Sequence, residues 1–209
     1  MNLWTRIEQA RARTNVLEHP FYQRWSAGEL TRSELATYAG EYRHAVAALA
    51  QAAATAARRA EPGIRAELEA HAAEEASHVD LWEGFARAVD AEPGAAPAPE
   101  TEDCARVWAG EGRDLLASLV ALYAIESGQP EIAEVKRAGL RERYGLDAPV
   151  ATAYFDLHAV LDREHAAAAR DLIEARVRDA DVDGLVATAE AVLRANWRLL
   201  DGVDRRNGR

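Results

Sequence analysis

The 209-residue chain predicts an all-α bundle of about seven helices, and three observations carry that prediction. Alanine is abundant and alternating β-branched runs are nearly absent, so the apolar periodicity is helical from end to end. Helix-ending signals recur at His19-Pro20, Pro62-Gly63 and Gly145, spaced for long helices joined by short loops. No internal repeat divides the chain, so residues 1–209 are expected to form one domain.

A first amphipathic helix should run over about residues 3–17 and stop at His19-Pro20, with a short helical turn over "FYQRW" after it. Thr31 opens a long helix through the capping box Thr31-x-x-Glu34, and apolar periodicity carries it to about residue 60. A third helix covers about residues 64–89. The Pro/Ala-rich stretch "AEPGAAPAPETED", residues 91–103, reads as a surface loop. Next comes a helix over about 113–144 that contains Pro130. The missing N–H of Pro130 is the one that would bond to the carbonyl of Glu126, so a kink is expected at that carboxylate. The last two helices should span about 148–177 and 182–203.

Net charge excludes several classes of partner. A formal charge of −10, spread along the chain, suits neither nucleic acid nor an anionic membrane surface. Cys104 is the only cysteine, so an internal disulfide is impossible. The N-terminal "MNLWTRIEQARARTNVLEH" lacks the apolar core of a signal peptide, and no window reaches the ~20 apolar residues of a membrane span. A cytoplasmic protein of bacterial type is the expectation. A single lysine, Lys136, stands among 25 basic residues. In a chain so biased to arginine, a retained lysine suggests a task arginine cannot perform, since only lysine offers a deprotonatable primary amine.

Three helices carry polar groups where a core should be. In "HAVLDREH", steps of four and three residues at ~100° per residue place His158, Asp162 and His165 in one narrow stripe. In "EEASHVDLW", His78 lies one turn beyond Glu74, and less closely in register with Glu75. Glu126 ends the apolar run "SLVALYAI", where a carboxylate is costly unless paired or coordinated. Each feature alone has an ordinary explanation: a solvated helix face, an acid at a bend, or a satisfied hydrogen-bond cluster. Together they offer six nitrogen and oxygen ligands with carboxylates able to bridge, which suits two iron or manganese ions. Zinc fits less well without a thiolate, and calcium poorly with imidazoles. Of the remaining histidines, His71 lies on the His78 stripe and is expected in the core, at the surface or just outside the metal ligands. His44 is expected to be structural, and His19 lies outside the ligand set.

The segments "HPFYQRWSAGELTRSELATYAGEYRH", "EEASHVDLW", "YAIESGQPEIAEVKRAGLRERYG" and "YFDLHAVLDREH" resemble the heme-oxygenase-like diiron oxidases, a fold family that also holds the TenA thiaminases and the pyrroloquinoline-quinone synthase. Within it the chain is similar to the chlamydial protein associating with death domains and its bacterial relatives, over nearly its whole length. The resemblance implies that Glu74, His78, Glu126, His158, Asp162 and His165 bind two iron ions, or iron and manganese, with O2 and an external reductant as co-substrates. The spacer between Glu and His in those relatives is longer than in "EEASH"; angular match favours Glu74 as ligand, with Glu75 as its substitute. The same relatives make 4-aminobenzoate for folate by oxidising a tyrosine of their own chain, with a lysine as amine source. Tyr22 and Lys136 fall on those positions, Tyr154 matches another tyrosine near the metals, and Ile125 replaces a tyrosine that the relatives have. A homodimer is the expected assembly.

Other functions weigh less. The same metal centre could act on a separate small molecule, such as an amino acid or a fatty acid. A TenA-type thiaminase needs a cysteine nucleophile, and Cys104 is expected beside the acidic linker instead of in a core helix. A ferritin-like centre needs two Glu-x-x-His helices. A non-catalytic interaction module has no need of six buried ligands.

Overall fold

The computed structural model describes residues 2–178 and 182–209, and among them the regular structure is entirely helical. Helix α1 (Leu3–Arg13) is shorter than its apolar pattern suggested. Asn15 interrupts it, its side chain accepting the Leu17 N–H (3.1 Å) and starting a separate 3-10 turn, Val16–Glu18. Helix α2 (Pro20–Ala27) begins where His19 Nδ1 accepts the Phe21 N–H (3.1 Å) and ends at Gly28, whose φ of 76° belongs to the left-handed region. The expected capping box is formed: Thr31 and Glu34 satisfy each other's backbone N–H groups at the start of α3 (Arg32–Arg59). Helix α4 (Pro62–Ala88) follows.

The stretch expected to be a loop is partly helical. Helix α5 (Pro99–Ala109) starts inside the Pro/Ala-rich segment and was not anticipated. Its signals are a proline in the first turn with Glu100 and Glu102 beside it. A buried partner completes them: Glu41 of α3 accepts the Ala98 N–H (2.9 Å). Cys104 is therefore fully buried in a core helix, not beside a loop, and burial pushes its thiol up, away from nucleophilic behaviour.

The helix expected over 113–144 is two helices, α6 (Leu115–Glu126) and α7 (Gln129–Glu142). Pro130 does not kink a continuous helix; the chain breaks at Ser127-Gly128, and the proline sits in the first turn of α7, where a missing N–H costs nothing. Helices α8 (Pro149–Glu174) and α9 (Val182–Arg206) complete the chain.

Residues Ser118 to Glu126 of α6 are buried without interruption, so this helix is wrapped on all sides. Helices α8 and α9 flank it, α3 packs on α4 and α5, α4 also meets α8, and α7 lies along α8. One contiguous apolar cluster runs through them. No helix among the described residues is long and apolar enough to cross a membrane.

Candidate metal centre

Polar side chains from α4, α6 and α8 meet inside this apolar packing. On α4 the inward stripe is His71, Glu75 and His78, at steps of four and three. Glu75 is 1% exposed, whereas the Glu74 side chain is 51% exposed. Glu75, and not the favoured Glu74, is the carboxylate that faces the cluster. Position 75 points between α6 and α8, and position 74 lies about 100° around the helix from it. The residue seven before His78, where a longer spacer would place a carboxylate, is His71, and it stands inside the cluster.

From α6, Glu126 is fully buried at the last helical residue. From α8 come His158 and Asp162, both 1% exposed, and His165 at the edge. The ligand atoms fall into two groups, each with its members within 4.8 Å of one another: His71, Glu75, Glu126 and His165, and then Glu75, His78 and His158. Glu75 belongs to both. Asp162 lies beside them, its Oδ1 3.9 Å from His165 Nδ1. Of the six residues expected from sequence, the structure brings together His78, Glu126, His158, Asp162 and His165. It adds Glu75 and His71 and leaves Glu74 at the rim.

Inside the cluster the polar atoms are close but not hydrogen-bonded. His71 Nε2 is 3.0 Å from Glu126 Oε1, and His78 Nδ1 is 3.1 Å from Glu75 Oε1, yet neither pair is aligned as a hydrogen bond. Both oxygens of Glu126 and of Asp162, His158 Nε2 and His165 Nδ1 are also buried and without partners. Buried polar atoms are rarely left so, because each costs about 1–3 kcal/mol. A cation in their midst would satisfy all of them at once, and three carboxylates with four imidazoles are a donor set that suits iron or manganese.

The charges are mutually dependent. Burial, then Glu126 and Glu75, push the Asp162 carboxyl up to about 9. Burial opposes the charge of Glu75 too, but His78 and the surrounding imidazoles outweigh it and hold this carboxyl below its ordinary value. Burial pulls His158 down to about 4, so its imidazole is neutral. Its Nδ1–H donates to the carbonyl of Tyr154 one turn earlier (2.7 Å), which leaves the Nε2 lone pair facing the cluster. His71 is raised despite burial, through Glu126.

A buried group of packed aromatic rings adjoins the cluster. Tyr154 stacks on His158 with ring centroids 3.9 Å apart, and Trp82 meets Tyr154 edge-on at 4.9 Å. Trp82 in turn contacts Tyr42 and Tyr38 at 5.1 and 5.8 Å. Tyr38 and Tyr22 share a hydrogen bond between hydroxyls of 2.8 Å. Lys136 reaches into these rings from α7. Its Nζ lies 4.6 Å from the ring centroid of Tyr42, 5.3 Å from Tyr22 and 5.4 Å from Tyr38. Burial pulls its ammonium down to about 7. The structure thus brings Tyr22, Tyr154 and Lys136 together. Sequence reasoning missed His71 as a cluster member, although its spacing to Glu75 and His78 was the available signal.

The chain is similar to known proteins over most of its length. A family model described as iron-containing redox enzyme matches residues 36–197. A protein named 4-aminobenzoate synthase from Chlamydia trachomatis serovar D is 32% identical, over 96% of this chain and 91% of its own. One of the same name from Nitrosomonas europaea is 33% identical, over 90% and 85%. Among solved structures, a TenA homologue from P. horikoshii OT3 superposes with a TM-score of 0.80 at 17% identity, covering 98% of this chain and 99% of its own. A CADD-like protein of unknown function from Nostoc punctiforme PCC 73102 gives 0.78 at 21%, covering 98% and 96%. With such a match over most of its length, and with buried histidines and carboxylates gathered between three helices, the chain belongs to the iron-containing redox enzyme family and has its heme-oxygenase-like fold.

Proposed function

We propose that this protein is a non-heme oxygenase with a dinuclear centre of two iron ions or iron and manganese, and that it makes 4-aminobenzoate from its own Tyr22 with Lys136 as amine donor. One observation carries the specific part: the only lysine of the chain has its amine 5.3 Å from the ring centroid of Tyr22, in a buried aromatic group adjoining the cluster. His71, Glu75, Glu126 and His165 would hold one metal, and Glu75, His78 and His158 the other, with Asp162 beside both. Iron bound there would supply the electrons that reduce O2 and the oxidising power to attack a phenol.

The chain's own residues prepare that chemistry. Burial first, and then Tyr42, raise the Tyr22 hydroxyl well above its ordinary value, so the ring is held as a phenol. Its oxidation must then be accompanied by proton loss, and the Tyr38 hydroxyl 2.8 Å away fixes the position of the phenol oxygen through a hydrogen bond. The Lys136 amine, pulled to about 7, keeps a large neutral fraction with its lone pair among the rings. Arginine at this place would have no such lone pair. The aromatic walls exclude water, which protects reactive intermediates from side reactions.

An apolar cleft of about 290 Å³, lined by Leu68, Leu119, Leu122, Leu161 and Leu172, opens beside His71 and His165. It favours a second reading, in which the same centre oxidises a separate apolar molecule. Single-turnover assays with Fe(II), O2 and a reductant separate the two. Self-sacrifice limits 4-aminobenzoate to one equivalent per chain and leaves mass changes at Tyr22 and Lys136. Tyr22→Phe and Lys136→Arg should load metal normally and make none. A Lys136→Arg protein as productive as wild type would remove the lysine from the reaction. O2 uptake that depends on an added amino acid or fatty acid, without 4-aminobenzoate, would establish the second reading.

A further inference from the structure

Glu74, turned away from the cluster, has a contact of its own. Its Oε2 lies 3.0 Å from Nε2 of His165, across the gap between α4 and α8 at the rim of the apolar cleft. The other nitrogen of the same ring, Nδ1, is buried without a hydrogen-bond partner. It faces Glu75 Oε1 at 3.8 Å and Asp162 Oδ1 at 3.9 Å. A carboxylate only accepts, so the contact requires a proton on Nε2, and in the neutral ring this leaves the lone pair on Nδ1, aimed inward.

We propose that Glu74 is a positioning residue, which fixes His165 as its Nε2–H tautomer and turns Nδ1 toward the metal position shared with His71, Glu75 and Glu126. The inference rests on the metal reading given under Proposed function. His158 reaches the equivalent result by a different route, since its Nδ1–H is held by a backbone carbonyl. That hold cannot be changed by substitution, whereas the hold on His165 belongs to a side chain. The carboxylate also makes the imidazole a stronger donor than a neutral acceptor would. Because the His165 ring packs at 4.2 Å from the His71 ring, losing its orientation disturbs two ligands of the same ion.

The test has one readout without metal and one with it. Proton-coupled nitrogen NMR of the histidine rings, on metal-free protein at mildly alkaline pH, reports the tautomer, with His165→Gln assigning the signals. Wild type and Glu74→Gln, which keeps an acceptor oxygen, should show the Nε2–H form, and Glu74→Ala a mixture. In anaerobic Fe(II) titrations, Glu74→Ala should still bind the wild-type number of ions but hold one of them about 10–100-fold more weakly, with Glu74→Gln between. Glu75→Ala should lose an ion outright. Loss of an ion in Glu74→Ala equal to that in Glu75→Ala would make Glu74 a ligand and overturn the proposal. An unchanged tautomer together with unchanged affinity would reduce the contact to a surface ion pair and overturn it equally. Wild type that binds no Fe(II), with the tautomer still lost in Glu74→Ala, would overturn the metal reading and leave the hold on His165 standing.

Discussion

Lys136 is a basic side chain buried without a charged partner among aromatic rings, and its cost has a sign that can be measured. Burial lowers its value from 10.5 to about 7, while ring faces within about 6 Å act in the opposite direction by favouring the cation. Between these two values the unfolded chain binds a proton that the folded chain does not. Lys136 therefore contributes a rise of stability with pH from about 7 to about 10, with a slope approaching 1.4 kcal/mol per unit, and Asp162, which the folded chain keeps protonated up to about 9, opposes it below that pH. Above about 10 the buried phenols Tyr22, Tyr38 and Tyr154, all raised by burial, reverse the trend. Lys136→Met should remove that contribution, so that the variant is more stable than wild type near neutral pH by a margin that shrinks toward pH 10, as followed by urea denaturation at several pH values. A margin that does not shrink would assign the effect to another group.

At the scale of elements, the position of Lys136 depends on how closely α7 approaches α2. Gly139 makes that approach possible: a methyl group there would land on the indole nitrogen of Trp25, which is fully buried. The same indole donates to the carbonyl of Lys136 (3.2 Å), so one contact sets both the packing and the register of the lysine. Gly139→Ala should destabilise by about 1–3 kcal/mol, as overpacking in a filled core does, and should move α7 outward. Denaturant unfolding gives the energy, and tryptophan fluorescence reports Trp25. Unchanged stability would mean that α7 adjusts freely and that the packing around Lys136 is looser than these contacts imply.

For the molecule as a whole, the cluster is a liability that a ligand can remove. Carboxylates from three helices and imidazoles from two meet in a region where their polar atoms lack partners, so the protein should be held together more firmly by metal than without it. Metal at about 100 times its dissociation constant contributes about 2.7 kcal/mol. For a chain of this size that is roughly 5–10 °C in Tm. Anaerobic Fe(II) or Mn(II) should produce this rise, a chelator should reverse it, and His158→Ala should abolish it. Absence of any shift with either metal would contradict the ligand cluster.

Much of this was legible in sequence because it depends on local rules. Helical periodicity identified the fold class, and Thr31 and Glu34 marked the start of α3. Residues three and four apart on one helix must share a face, so His158, Asp162 and His165 were recognisable as a unit before their partners were known. What remained was decided between helices. Residues 74 and 75 differ by one step on α4, and only the packing of α6 and α8 determines which faces inward. His71 needed the same information, because a histidine on a stripe has no chemistry until Glu126 arrives from another helix at 3.0 Å. Helix α5 was hidden because part of its start comes from Glu41 on α3, a contact across 57 residues. The periodicity of one helix states which residues lie together on a face; only the other helices state what that face meets.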